Sequence, residues 1–145
     1  MKKVIFNECI FNVDYGKTID YYNKIDCGHA EECGCENCLR FASNRVKMYS
    51  ENILNLFYQV GIDYTKEGEL DFCGVSDSGG FGYLCEFYFY GNVELNKCMT
   101  LAPPKYGGYE FAPVSDKNSI RFYPIRDNED NYLVQVEILF INIRL

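Results

Sequence analysis

The sequence has little positive charge, a single histidine and no tryptophan. Its 145 residues include 14 Lys and Arg against 21 Asp and Glu, which gives a formal net charge of -7. Proteins that bind nucleic acid by releasing counterions from the phosphates need basic patches, and this chain lacks the charge for them. We therefore expect no binding to nucleic acid. A basic protein is the kind of partner that this charge favours.

Long apolar runs are also missing. The basic start Met1–Lys3 is followed by an apolar run that ends at Asn7 and Glu8, too soon for a secretory signal. No run approaches the roughly 20 apolar residues that a membrane-spanning helix needs. We therefore expect a soluble cytoplasmic protein with no membrane association. In a reducing compartment its 8 cysteines should be metal ligands or free thiols rather than disulfides.

Two motifs that would indicate catalysis are incomplete. The Gly-rich segment Ser76–Gly82 lacks the Lys-Ser/Thr pair of a phosphate-binding loop, and no helical pattern follows it, so it predicts a hairpin turn. The only histidine, His29, lies two residues from Cys27, and the sequence assigns no acid–base partner to a nucleophilic thiol. We therefore predict no catalytic residues and leave open whether the protein is an enzyme.

A dense cysteine cluster is the most informative feature that is present. It consists of Cys27, Cys33, Cys35 and Cys38, with His29 in the same segment. Thiolates at such spacings can converge on one tetrahedral ion, with zinc as the first candidate and iron as the alternative. We predict a structural zinc site formed by the four thiolates, with His29 able to replace Cys27. Disulfides or free thiols are the alternative interpretations.

The segment after the cluster predicts a long helix. Apolar residues, among them Leu39, Ala42 and Val46, recur at three- and four-residue intervals from residue 38 to residue 60. Asn37 suits an N-cap, and Gly61 suits the position after the helix, so both ends are marked. We predict one amphipathic helix over residues 38–60.

The rest of the chain has the patterning of strands and turns. Strands are predicted at Val4–Val13, Leu70–Cys73, Tyr83–Gly91, Lys97–Leu101, Ile120–Ile125 and Tyr132–Ile143, the last two forming a hairpin. Turns are predicted at Asp14–Lys17 and Asn92–Asn96, and an irregular loop at Ala102–Pro113. We expect a single α+β domain over residues 1–145. One long amphipathic helix would pack on a curved antiparallel sheet, with an N-terminal strand and a cysteine-rich loop before the helix.

Three stretches together resemble a family of small uncharacterised bacterial proteins. They are Cys33–Phe41, Gly61–Leu70 with the following strand Gly82–Phe89, and Val134–Ile138. Members of that family tend to end in an aromatic Pro-Trp-type segment, whereas this chain ends in Ile141–Leu145 without Pro or Trp. The resemblance covers most of the chain and implies a shared fold, with a CxCxxC loop before a long helix, and a shared metal site. No activity is established for the family.

Two classes of function are compatible with the sequence. Negative charge with tyrosines on a strand and on a Pro/Gly loop favours a non-enzymatic protein-binding module, of the adaptor or immunity type, that binds a basic partner. The candidate contacts are Tyr88, Tyr90, Tyr106, Tyr109, Glu86, Glu94 and Glu110. The alternative is a metal-dependent hydrolase or deaminase-like enzyme, because His29-Ala30-Glu31 and the Cys35…Cys38 pair resemble the elements of zinc deaminases. Those two elements are too close together to lie on successive helices, which favours the binding module.

Overall fold

Seven strands and four helices form the fold in the computed structural model, which describes residues 1–145. The strands are β1 (Lys2–Phe6), β2 (Cys9–Val13), β3 (Glu69–Val75), β4 (Phe81–Asn96), β5 (Ala112–Pro113), β6 (Asn118–Arg126) and β7 (Tyr132–Ile143). The helices are α1 (Tyr15–Asn23), α2 (His29–Cys33), α3 (Glu36–Met48) and α4 (Glu51–Val60). All strands pair antiparallel in the order β1-β2-β4-β7-β6-β5, and β3 also pairs with β4.

The prediction of one long helix over residues 38–60 is wrong, because the segment folds as two short helices. α3 ends at Met48, and Tyr49 has extended backbone angles (φ -81°, ψ 136°). Ser50 then caps α4 with its side chain. Asn118 on β6 holds this break: its side-chain amide donates to the Met48 carbonyl at 3.0 Å, and its Oδ1 accepts from the Ser50 N–H. Both helices turn apolar residues toward the sheet, among them Phe41 of α3 and Phe57 of α4.

The predicted N-terminal strand and the turn after it are both different in the structure. Residues 4–13 belong to a hairpin, in which β1 and β2 pair across a turn that has Asn7 at φ 51°. The predicted turn at 14–17 is instead the start of α1. Asp14 is its N-cap and accepts a hydrogen bond from the Lys17 N–H at 3.0 Å. An Asp at the start of a turn and an Asp that caps a helix give the same local signal.

β4 is the central strand, and it is longer than predicted. It passes through the predicted turn at 92–96 and pairs with β2 there. Gly91 allows this, because its φ is 147° and an added Cβ would lie 2.2 Å from the Asn12 carbonyl oxygen. The predicted strand at 97–101 is absent apart from one bridge between Leu101 and Tyr109. The β3–β4 and β6–β7 hairpins lie where they were predicted.

One edge of β4 changes partner along its length. β3 pairs with it from Phe81 to Glu86, and β2 pairs with it from Gly91 to Asn96. Side chains of α1 cover the edge in between. The Tyr22 hydroxyl accepts from the Tyr88 N–H and donates to the Tyr88 carbonyl, both at 2.9 Å, and the Thr18 hydroxyl accepts from the Tyr90 N–H at 3.0 Å.

The core lies between one face of the sheet and the two helices α3 and α4. Its centre is aromatic: Phe57 packs on Phe87 with ring centroids 4.7 Å apart, and Tyr49 packs on Phe140 at 5.1 Å. The Tyr83 hydroxyl donates to the Asn37 carbonyl at 2.8 Å and so ties the first turn of α3 to β4. This contact places the cysteine-rich segment near the beginning of β4.

The expectation that no cysteine forms a disulfide is wrong for one pair. Cys9 on β2 is bonded to Cys98, which follows β4, with Cα atoms 5.2 Å apart and 89 residues of sequence separation. The other cysteines are free thiols. No helix in the structure has both the length and the apolar character needed to cross a membrane.

Candidate metal centre

The cysteine-rich segment, predicted as a loop, instead contains the short helix α2 and the first turn of α3, which are separated by Gly34 and Cys35. α2 begins with His29 and ends with Cys33, and Gly34 then adopts the left-handed conformation at φ 67°. This conformation is favourable for glycine and reverses the chain after a helix. Cys35 is the N-cap of α3 and accepts a hydrogen bond from the Cys38 N–H at 3.4 Å. The reversal turns the end of α2 toward the first turn of α3.

Three potential ligands meet at this point. One ring nitrogen of His29 and the sulfurs of Cys33 and Cys38 all lie within 4.8 Å of one another. In a tetrahedral zinc site the ligand atoms are about 3.3–3.8 Å apart, given metal–ligand bonds of about 2.0–2.3 Å. The three atoms need only a small closure to reach that spacing. The group can therefore hold a metal ion.

The Cys35 sulfur lies at the edge of this group. Its pKa is held below the ordinary value, first by the hydrogen bond from the Cys38 N–H and then by contacts with the Cys38 and Cys33 thiols. A thiol that deprotonates readily is a good metal ligand. Cys35 can therefore supply a fourth ligand next to the other three.

Cys38 is the most buried thiol of the group. Burial, followed by the neighbouring Cys35 and Cys33 thiols, raises the pKa of Cys38 to about 12. A bound metal reverses this preference, because it deprotonates a coordinating thiol. Without a metal ion, the Cys38 thiol should therefore be protonated at neutral pH.

Cys27, the remaining predicted ligand, does not lie in this group. It is half-buried before α2, where lost hydration and then the charges of Glu32 and Glu31 raise its pKa. The structure thus brings together His29, Cys33 and Cys38, with Cys35 beside them. His29, and not Cys27, therefore lies with the other predicted ligands.

A buried ion network lies behind the cluster, and sequence reasoning missed it. Arg45 on α3 donates from Nε to Glu67 at 2.9 Å and from Nη1 to Glu31 at 2.8 Å. The side chain of Glu67 is 0% exposed and that of Arg45 is 8% exposed. A signal for it was present: Arg45 follows Phe41 by four residues and precedes Met48 by three, so it lies on the buried face of α3.

The network limits the chemistry that the cluster can perform. Glu31 is the residue that a deaminase-like interpretation would use as its general acid–base. Its carboxylate is paired with Arg45, and the hydrogen bond from Arg45 lowers the pKa of Glu31. The pairing with Arg45 therefore makes Glu31 a poor general base.

The residues predicted to contact a partner lie on several elements of the fold. Glu86 and Tyr88 lie on the sheet face opposite α3 and α4, where the Tyr88 hydroxyl is hydrogen-bonded to Glu86. Tyr90 lies near Lys17, whose ammonium is 4.8 Å from the ring centroid. Tyr106, in the loop after β4, is 72% exposed. The remaining predicted contacts are Tyr109, which packs against Tyr123, Glu94, which is paired with Lys3, and exposed Glu110.

Comparisons with models of known protein families, with curated proteins and with solved structures give no match in any of the three. The resemblance to a bacterial family therefore stays a prediction from the sequence.

Proposed function

We propose that this chain is a zinc-binding protein whose metal joins α2 to the start of α3, and that it acts as a protein-binding module rather than an enzyme. The observation that supports zinc is the meeting of His29, Cys33 and Cys38 within 4.8 Å. Imidazole and thiolate ligands in a tetrahedral arrangement suit zinc, and iron shares part of this preference. The ligands come from two helices, so a bound ion would cross-link them.

Metal content tests the zinc proposal directly. Purified, reduced protein without an affinity tag should contain one zinc per chain by elemental analysis. The Cys33→Ser variant should lose the zinc, because Cys33 is one of the proposed ligands. Cys33 is exposed, so its replacement should leave the core packing unchanged. Cys73→Ser is the matched control, since Cys73 is also an exposed free thiol but lies on β3 outside the cluster. Equal zinc retention by the two variants, or no zinc in the parent protein, would contradict the proposal.

Two observations support a binding module. The net charge of -7 favours association with a basic surface. The sheet face opposite α3 and α4 carries the carboxylates of Glu69, Glu86 and Glu137 next to one another across three strands. Only Glu137 among them is paired with a cation, Arg121, at 3.0 Å. A basic protein partner would supply charges that this face lacks.

Binding of a fluorescent Lys/Arg-rich peptide, measured by anisotropy, tests the partner class. We expect binding that weakens with added salt and that weakens further in the Glu69→Gln variant. Glu8→Gln is the control, because Glu8 is an exposed carboxylate in the turn between β1 and β2. Equal peptide binding by the two variants would show that binding depends on net charge and not on this face of the sheet. Absence of binding at low salt would count against a basic partner.

A metal-dependent hydrolase or deaminase-like enzyme is the second candidate. Exposure of Cys33 and Cys35 favours it, because a metal bound there would face solvent. The pairing of Glu31 with Arg45 weighs against it. Zinc-loaded protein that turns over ester or nucleoside substrates, with the activity lost in Cys33→Ser, would establish this candidate in place of the binding module.

A further inference from the structure

The ion network of Arg45, Glu67 and Glu31 joins the two helices that carry the proposed ligands. Arg45 lies on α3, two turns after the ligand Cys38, and Glu31 lies on α2 between the ligands His29 and Cys33. The Arg45 guanidinium donates to both carboxylates at once. One cation therefore fixes α2 against α3.

Glu67 also holds the first residues of α2 by their backbone. Its carbonyl oxygen accepts from the His29 N–H at 3.0 Å, and its side-chain Oε2 accepts from the Ala30 N–H at 3.1 Å. Oε2 also accepts from Arg45 Nη2 at 3.0 Å. Glu67 comes from the connector between α4 and β3, so a third part of the chain sets the position of His29.

Gly28 shows how closely the chain fits this network. A Cβ added to Gly28 would lie 2.0 Å from Glu67 Oε2 and 2.7 Å from Arg45 Nη2. Any other residue would have to displace the carboxylate or the guanidinium. The segment before His29 can therefore rest on the network only because residue 28 has no side chain.

We propose that Arg45 and Glu67 are positioning residues of the metal site: they set α2 against α3 so that His29 and the cysteine ligands are close together before an ion binds. The inference rests on the proposed zinc site. Neither residue offers an atom to the ligand group itself. Groups that orient metal ligands typically change metal affinity by about 10- to 100-fold when they are replaced.

Two variants loosen the network without touching a ligand. Glu67→Gln removes the charge that pairs with Arg45, and Gly28→Ala pushes on the Glu67 carboxylate. The controls are matched in kind. Glu137→Gln removes a half-buried carboxylate that pairs with Arg121 on the other face of the sheet. Gly16→Ala changes a glycine of α1 whose added Cβ would meet only Asp14, at 4.0 Å.

Zinc affinity of the folded proteins is measured by competition with a coloured chelator, and cobalt substitution reports the ligand geometry by absorption. We expect zinc affinity to fall about 10- to 100-fold in Glu67→Gln and Gly28→Ala, with an altered cobalt spectrum, and to be unchanged in both controls. Loss of folding stability with unchanged affinity and spectrum would overturn the positioning role. If the parent protein binds no zinc, the zinc proposal itself fails, which is a different result.

A milder variant covers the case in which Glu67→Gln does not fold. The Glu31 side chain is 39% exposed, so Glu31→Gln removes one partner of Arg45 near the surface and leaves Glu67 in place. We expect a smaller fall in zinc affinity than in Gly28→Ala. Parent-level affinity in both Glu31→Gln and Gly28→Ala would overturn the inference.

Discussion

The two ends of β4 use cysteine in different ways. At its beginning, Tyr83 holds the start of α3, and three free thiols lie there with the single histidine. At its far end, Cys9 and Cys98 form a disulfide between β2 and the segment that follows β4. The cluster is local in sequence and partly exposed, whereas the disulfide joins distant residues and Cys9 is fully buried. Cysteine thus belongs to a group that could hold a metal ion at one end and forms a covalent cross-link at the other.

Removal of the disulfide should have the largest effect on stability. A cross-link between residues 89 positions apart restricts the unfolded chain strongly, and its loss should lower the free energy of unfolding by about 2–5 kcal/mol. Urea denaturation of Cys98→Ser, and of the parent protein under reducing conditions, measures this. Zinc affinity should not change in Cys98→Ser. A parallel fall in affinity would show that the two ends are coupled and would break the comparison.

Zinc should stabilise the protein by an amount in the lower part of that range. Free zinc at 100 times the dissociation constant raises the free energy of unfolding by about 2.7 kcal/mol through mass action. Thermal denaturation with zinc and with a chelator should show this difference in the parent protein and in Cys98→Ser. Cys33→Ser should show none of it. A zinc effect that survives in Cys33→Ser would place the ion elsewhere.

Thiol labelling should separate the two ends without changing stability. In metal-free protein, a maleimide should react with the exposed cluster thiols Cys33 and Cys35, and zinc should protect both. Cys85 should stay unlabelled because it is buried, and Cys9 and Cys98 because they are bonded to each other. Mass spectrometry of peptides gives the sites. Labelling of Cys33 at the same rate with and without zinc would argue against metal binding.

The middle of β4 should show the smallest effect, through Glu86. Burial, followed by the charges of Glu69 and Glu137, raises the pKa of Glu86 above its ordinary value. The folded state therefore holds this proton more tightly than the unfolded state, and stability falls as pH rises through the range between the two pKa values. Glu86→Gln should remove this pH dependence. Because the side chain is partly hydrated, the gain in stability at pH 7 should be only a few tenths of a kcal/mol. Denaturation at pH 4 and pH 7 measures it, and a loss of stability at pH 7 would contradict the assignment.

The sequence allowed the cluster to be predicted because its members are close together in the chain. The disulfide left no such signal, since Cys9 and Cys98 meet only when β2 pairs with the end of β4. The predicted turn at 92–96 hid that pairing. The local sequence pattern does not show that β4 continues past Gly91 and pairs with β2, because a glycine within a strand pattern usually indicates a turn or a bulge.

The helices α3 and α4 show a second limit of prediction from the sequence pattern. The apolar periodicity predicted one helix with Leu39 and Val46 on its inner face, but these side chains are 47% and 60% exposed. The buried face of α3 instead contains Phe41 and Arg45. The buried face of α3 was not predicted because Arg45, a charged residue, lies on it, and the search for periodic apolar residues treats arginine as polar. The break after α3 has one local signal, the N-cap residue Ser50. The contact that holds the break comes from the distant Asn118 on β6.

The coverage of β4 by α1 has a consequence for solubility. An unpaired stretch of strand edge is a template on which another chain can add a strand and start aggregation. The hydroxyls of Thr18 and Tyr22 occupy the backbone groups of Tyr90 and Tyr88 that such a chain would need. α1 thus satisfies this part of the β4 edge in place of a neighbouring strand, and it leaves no free backbone groups at Tyr88 for a strand of another chain to pair with.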